Sequence, residues 1–226
     1  MDDTCVIVTG ASRGLGASVA RAFAEGGASV VGCSRDGDAV EATLANIENA
    51  KGVEADVRDE DDVWGLIDDA ARAYGEIDVV VANAGINRGD PGDAPLPAES
   101  YDVFDDTIAT NLRGTFATVK EALPRMPADG RVLVPSGSVA REPTEGMGAY
   151  SVSKAAAEGL VRGFAADAEQ AVGVVDPGLV ATDVTGGQGH DPDEVGEMFV
   201  WAASDADPDE LNGDVLDLRA WKKATR

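Results

Sequence analysis

The sequence predicts an α/β domain in which a parallel sheet of seven strands is covered by helices on both faces, and three observations carry that prediction. Short runs that are apolar throughout alternate with helical stretches along the whole chain, as expected of strands with no solvent-facing side. The 226 residues suffice for one large core, and no linker, low-complexity tract or internal repeat divides them into a second domain. The glycine-rich stretch "TGASRGLG" (9–16) stands between the first apolar run and the first helical one, where a strand-to-helix turn is expected.

The elements follow in order. "TCVIVTG" (4–10) reads as a strand, 14–28 as a helix and "SVVGCS" (29–34) as a second strand. A polar helix over 37–49, the strand "GVEADV" (52–57), a helix over 60–74 and the valine-rich strand "IDVVVANAG" (77–85) come next. The glycine- and proline-rich insert "NRGDPGDAPLPAES" (87–100) leads into a long helix over 100–122. The strand "GRVLVPSG" (130–137), a helix over 149–168, the strand "VGVVDPG" (172–178), a helix near 191–204 and the strand "GDVLDLR" (213–219) complete the order. Ligand crevices in such sheets lie beyond the carboxyl ends of strands, so the loops after the first, fourth, fifth and sixth are the places for chemistry.

The 42 acidic against 18 basic residues give a net charge of −24, which argues against nucleic acid and anionic membranes as partners. The acidic residues are spread along the chain, as on a protein from a salt-loaded cytoplasm, and clusters such as "DEDD" (59–62) and "DADPDE" (205–210) read as solvated surface. No apolar run approaches the roughly 18 to 20 residues of a membrane span, and a cytoplasmic location is expected. Cys5 and Cys33 fall in apolar strands and read as buried free thiols; no metal site is expected, because close-spaced ligands are lacking.

Thr9 closes the first strand, and Gly14, Leu15 and Gly16 open the first helix. Such a turn aims free backbone N–H groups at an anion, and Gly10, Gly14 and Gly16 let the chain turn tightly and approach a pyrophosphate. With Ser12 and Arg13 between them, these residues form a T-G-x-x-x-G-x-G pattern that resembles the short-chain dehydrogenase/reductase family. "ADV" (55–57), "NAG" (83–85) and the P-G-x-x-x-T segment within "DPGLVATD" (176–183) extend the resemblance, in order, over residues 4 to about 218. It implies a doubly wound, Rossmann-type fold in a single domain, 1–226. It further implies that Asp56 and Val57 contact the adenine, that Asn83, Ala84 and Gly85 pack on the adenine ribose, and that Pro177, Gly178, Val180 and Thr182 hold the nicotinamide.

"YSVSK" places Tyr150 and Lys154 four residues apart on one face of a helix. A phenol alone titrates too high for proton exchange at neutral pH, and a neighbouring ammonium favours its ionised form. Ser138 lies twelve residues before Tyr150, and Asn111 sits in "TNLRG" on the long helix. By resemblance, Ser138 orients a substrate carbonyl, Tyr150 is the general acid or base, Lys154 lowers the tyrosine pKa and binds ribose hydroxyls, and Asn111 anchors a relay water through its backbone. The expected reaction is hydride transfer between a nicotinamide cofactor and a ketone or secondary alcohol. A nucleotide-sensing protein without catalysis is the alternative, although that class typically loses Tyr or Lys.

An acidic residue after the second strand selects NAD(H), whereas Arg suits the extra phosphate of NADP(H). Here Ser34 takes the usual acidic position and Arg35 follows, with Arg13 in the glycine loop, so NADP(H) is favoured and NAD(H) stays open; Asp36 is an acid able to turn inward. The likeness is to 3-oxoacyl-thioester and carbonyl reductases. Arg88 and Arg141 are the cations available to a coenzyme A substrate, the short loop 184–190 is the lid, and His190 reads as a surface loop residue, with substrate contact as the alternative. A homodimer or homotetramer is expected, with Ile108, Leu112, Phe116 and Val119 as candidates either for the interface or for the helix face packed on the sheet.

Overall fold

In a computed structural model describing residues 1–88 and 92–226, seven parallel strands form one sheet in the order β3-β2-β1-β4-β5-β6-β7. They are β1 (Cys5–Thr9), β2 (Ser29–Ser34), β3 (Ala50–Glu54), β4 (Val79–Val81), β5 (Arg131–Pro135), β6 (Ala171–Asp176) and β7 (Val215–Asp217). The helices are α1 (Gly14–Glu25), α2 (Gly37–Leu44), α3 (Glu60–Tyr74), α4 (Tyr101–Ile108), α5 (Gly114–Ala122), α6 (Gly148–Asp167), α7 (Pro192–Ser204), α8 (Pro208–Leu211) and α9 (Leu218–Ala224). Positions 89–91 of the insert after β4 lie outside the described residues. None of the described helices is long and apolar enough to cross a membrane.

The core has two layers, one on each face of the sheet. Val6, Val8, Val19, Phe23, Met198 and Phe199 pack α1 and α7 on one face, while Ile7, Leu66, Ile67, Val119 and Val161 pack α3, α5 and α6 on the other. Adjacent β1 residues therefore point to opposite layers, so both sides of the strand must be apolar. Chain order reverses at β1, which has β2 on one side and β4 on the other, and a crevice opens where their carboxyl ends part.

Several element ends differ from the sequence reading: the strand read over 52–57 runs over Ala50–Glu54, and the helix read over 37–49 ends at Leu44. The acidic clusters are solvated as expected, and one residue of each also caps a helix: Asp59 accepts from the Asp61 and Asp62 amides at the start of α3, and Asp207 accepts from the Asp209 amide at the start of α8. Carboxylates there satisfy orphan N–H groups and oppose the positive helix end. The final strand stops at Asp217, which turns to cap α9, so Leu218 and Arg219 are helical. The long helix over 100–122 is α4 and α5 joined by a π turn, Ala109–Arg113.

Cys5 pairs with Ser29 and Cys33 with Thr9 in the β1–β2 register, which sets the thiols at opposite ends of the strands. Both are free, and burial pushes each thiol up to about 12.

Candidate active site

The crevice is a cleft of about 640 Å³ at the carboxyl ends of the strands. Its floor is the glycine loop. Gly10 and Gly14 have φ of +70° and +54°, which side-chain-bearing residues adopt with strain, and Gly16 packs against the Gly10 carbonyl and the Asn83 amide. Asn83 closes β4 onto this loop by donating from Nδ2 to the carbonyls of Thr9 (2.9 Å) and Gly10 (3.3 Å), and the Ala84 amide donates to Thr9 Oγ1 at 3.0 Å. Helices α2, α3, α4, α7, α8 and α9 start with a capping Asp or Ser, whereas α1 starts at Arg13 with no side-chain cap and no acid in its first turn. An uncapped helix start above glycines suits an anionic group.

One end of the cleft is bounded by Ser34, Arg35 and Asp36. Ser34 Oγ donates to the Asp36 carbonyl at 2.9 Å, and the Asp36 carboxylate accepts from the Ala39 amide to cap α2. The acid beside Arg35 is therefore committed to the fold, and Arg35 is exposed. Arg13 is engaged on the other rim, where its Nε lies 3.2 Å from Asp183. Val57 lines the cleft, but its neighbour Asp56 is gripped by Arg58, whose Nη2 donates to Oδ2 at 2.6 Å and whose Nε lies 3.0 Å from both carboxylate oxygens. Those bonds hold the Asp56 carboxyl below the usual range.

Tyr150 and Lys154 project from α6 into the same cleft. Lys154 Nζ lies 5.7 Å from the centre of the Tyr150 ring and donates to the Pro135 carbonyl at 2.9 Å. Burial alone pushes the Tyr150 phenol up to about 12. Burial drives Lys154 down to about 8, against the opposing charge of Glu158. In this state burial outweighs the expected lowering of the tyrosine pKa by Lys154.

Two expected catalytic residues stand off the cleft wall. Asn111 is buried on the π turn: its Oδ1 accepts from the Ile86 amide at 2.8 Å, and its Nδ2 donates to the Ile86 carbonyl and Ser153 Oγ, both at 2.9 Å. It ties the loop after β4 to α6. Ser138 is exposed in a 3-10 turn after β5, and the β5 residues on the wall are Pro135 and Ser136. Ser136 donates its hydroxyl to Glu158 at 2.7 Å, so that proton is already spent inside the protein.

The remaining expected residues, Ser12, Leu15, Gly85, Pro177, Gly178, Val180 and Thr182, all line the cleft. The sequence reading missed Thr110, whose buried Oγ1 has no partner among the described residues although the residue lines the cleft. A lone threonine in a helix gives no sequence signal of this kind. The glycine cradle, the uncapped helix and this unpaired hydroxyl together fit a bound dinucleotide.

The loop 184–190, expected to be the lid, is held by hydrogen bonds within and beside it. Thr182 and Thr185 cap each other around the turn 183–185, and the main chains of His190 and Leu179 pair at 2.7 Å. The exposed ring of His190 does not reach the cleft wall. Arg88 is paired with Asp106, and Arg141 with Asp176, so both cations expected to serve a coenzyme A group already have carboxylate partners.

The family model for short chain dehydrogenases matches residues 4–193, which span the glycine loop, the Tyr150–Lys154 pair and the lid. The chain belongs to the short-chain dehydrogenase family. It is an oxidoreductase with the family's single-domain parallel-sheet fold. A 3-oxoacyl-(acyl-carrier-protein) reductase FabG from Staphylococcus aureus is 35% identical over 190 residues, covering 79% of this chain and 75% of the relative. Carbonyl reductase family member 4 from Danio rerio is 33% identical over 187 residues, covering 80% of this chain and 77% of that protein. Among solved structures, a short chain dehydrogenase from Burkholderia cenocepacia in complex with NADP superposes with a TM-score of 0.86 at 28% identity, covering 97% of each chain. A 3-ketoacyl-(acyl-carrier-protein) reductase from Brucella melitensis complexed with NADH superposes at 0.87 and 25% identity, covering 96% of this chain and 97% of the other.

Proposed function

We propose that this short-chain dehydrogenase reduces a ketone to a secondary alcohol, or runs the reverse reaction, with NADP(H) in the cleft and Tyr150 as general acid or base. The observation that carries the reading is that Tyr150 and Lys154 line the same cleft as the glycine loop. The cofactor, when bound, supplies or accepts the hydride. Gly10, Ser12, Gly14, Leu15 and Gly16 cradle the pyrophosphate, Val57, Asn83, Ala84 and Gly85 flank the adenosine, and Pro177, Gly178, Val180 and Thr182 line the nicotinamide end. Asp56 reaches the adenine only with Arg58 attached.

Ser138 offers the substrate carbonyl a hydroxyl that no described residue engages, whereas that of Ser136 is taken by Glu158. Tyr150 gives its phenolic proton to the carbonyl oxygen. Its raised pKa keeps it protonated at neutral pH, which suits the acid role in reduction. Lys154 binds ribose hydroxyls and stabilises the phenolate left behind. Asn111 holds the widened turn whose main chain carries a water to Lys154.

Arg35, exposed at the rim while Asp36 caps α2, favours the 2′-phosphorylated cofactor over NAD(H). A small neutral carbonyl compound suits the mouth better than a coenzyme A thioester, because Arg88 and Arg141 are already paired; a 3-oxoacyl thioester remains the substrate named for the FabG relative. A cytoplasmic setting accords with the acidic surface.

Pairing of two copies across α5 and α6 gives the homodimer or homotetramer. Phe116, 42% exposed, stacks on Phe164 at 5.9 Å and forms an apolar patch there. Val119 faces the core at 1% exposure and drops out of that surface, while Ile108 and Leu112 are half-buried.

The test is nicotinamide absorbance in high salt with a panel of ketones and thioesters. Turnover with NADPH that Tyr150→Phe abolishes while cofactor binding persists supports the reading. Tight cofactor binding without turnover of any substrate would favour the nucleotide-sensing alternative.

A further inference from the structure

Behind Lys154 lies a set of charges that the reaction scheme above does not use. Glu158 is one helical turn beyond Lys154 on α6 and only 5% exposed. Its Oε1 accepts the hydroxyl of buried Ser136 at 2.7 Å and lies 3.7 Å from Arg141 Nε. Arg141, from the loop after β5, covers this pair from the solvent side, and its Nη2 also binds the carboxylate of Asp176, 8% exposed at the end of β6. The other oxygen of Asp176 accepts from the Gly178 amide at 2.9 Å, inside the P-G turn of the cleft wall.

Consecutive residues at the end of β5 are thus held by the two α6 side chains: Lys154 binds the carbonyl of Pro135, and Glu158 binds the hydroxyl of Ser136. We propose that Glu158 and Arg141 are positioning residues which, with Ser136 and Asp176, form a charge-balanced set that fixes Lys154 and governs its protonation. The inference rests on the catalytic reading of Lys154.

A buried ammonium without a counter-charge tends to lose its proton, and a nearby carboxylate restores it. Glu158 is the one carboxylate found to oppose the desolvation of Lys154. Arg141 acts with the opposite sign, because it neutralises Glu158 and Asp176. The other charged or titratable groups around the lysine are Tyr150 on its own helix and, on the cleft rim, the Arg13–Asp183 pair with Arg35 and Asp36. None of these changes in the variants below. Lys154 therefore has two controls of opposite sign.

Glu158→Gln removes the charge but keeps an oxygen able to accept from Ser136, and Arg141→Gln removes the covering cation. With only five lysines in the chain, the Lys154 ammonium can be followed by 15N NMR through a pH titration of the full-length protein, using Lys154→Gln for assignment. The expected result is a Lys154 midpoint lower by about one pH unit in Glu158→Gln and higher than wild type in Arg141→Gln, with the alkaline limb of kcat moving the same way in each. Midpoints that stay put, or that move in the same direction in both variants, overturn the proposal.

If Glu158→Gln does not fold, Arg141→Gln decides alone, and an unchanged or lowered midpoint refutes. If the midpoints move as expected but wild type turns over no carbonyl substrate, the oxidoreductase assignment of this cleft fails while the electrostatic control of Lys154 stands. The two failures are therefore separable.

Discussion

The glycine loop yields a sharp prediction because two glycines of this chain should respond to alanine with opposite signs. A methyl group on Gly16 would lie 2.5 Å from Asn83 Nδ2 and closer still to the Gly10 carbonyl oxygen. Neither neighbour can yield freely, since that Asn83 nitrogen joins β4 to the loop through its bonds to Thr9 and Gly10. Losing both bonds costs about 2 kcal/mol, and moving packed backbone adds about 1 to 3 kcal/mol. The gain in helix propensity returns just under 1 kcal/mol. Gly16→Ala should therefore be destabilised by about 3 kcal/mol, or roughly 6–12 °C in melting temperature for a domain of this size.

Gly65, in the middle of α3, has open space where its methyl would go. Gly65→Ala should gain about 0.5–1 kcal/mol and melt about 1–4 °C higher. Melting followed by circular dichroism measures both. Fluorescence titration with NADPH should show binding weakened at least about tenfold in Gly16→Ala and unchanged in Gly65→Ala. A Gly16→Ala protein that melts with wild type and binds cofactor equally well would refute the close-approach argument.

Three further outcomes follow from the same geometry. Arg35→Gln should weaken NADPH binding by about 10- to 100-fold, the worth of a charge-assisted bond, and leave NADH nearly unaffected; equal losses would remove Arg35 as the selector. Phe116→Glu should lower the mass seen by light scattering to that of a single chain, and an unchanged oligomer would place the interface elsewhere. Raising KCl from about 0.1 to about 1 M shortens the Debye length from about 10 to about 3 Å, so the melting temperature of a chain carrying −24 charges should rise; a fall would mean that attractive pairs dominate its surface.

Much of the fold was legible because strands buried on both faces leave continuous apolar runs, and β2 was read at its observed limits, Ser29–Ser34. Ends set by side-chain capping were not. Asp217 stops β7 by binding the Arg219 and Ala220 amides, and nothing in "GDVLDLR" marks that turn in advance. The clusters at 59–62 and 205–210 are solvated as read, but composition does not reveal which of their carboxylates faces an orphan amide.

The sequence by itself determined the glycine loop, the Tyr150–Lys154 pair and the family, since these depend on local spacing within one turn or one helix. Only the tertiary structure decided how the charged groups are used. Arg13 meets Asp183 over 170 residues, Arg58 meets Asp106, and Arg141 meets Asp176 and Glu158 from three separate elements. The reason is physical. A backbone motif is written in consecutive residues, whereas the partner of a long charged side chain is set by which strand ends and helix faces the sheet order brings together.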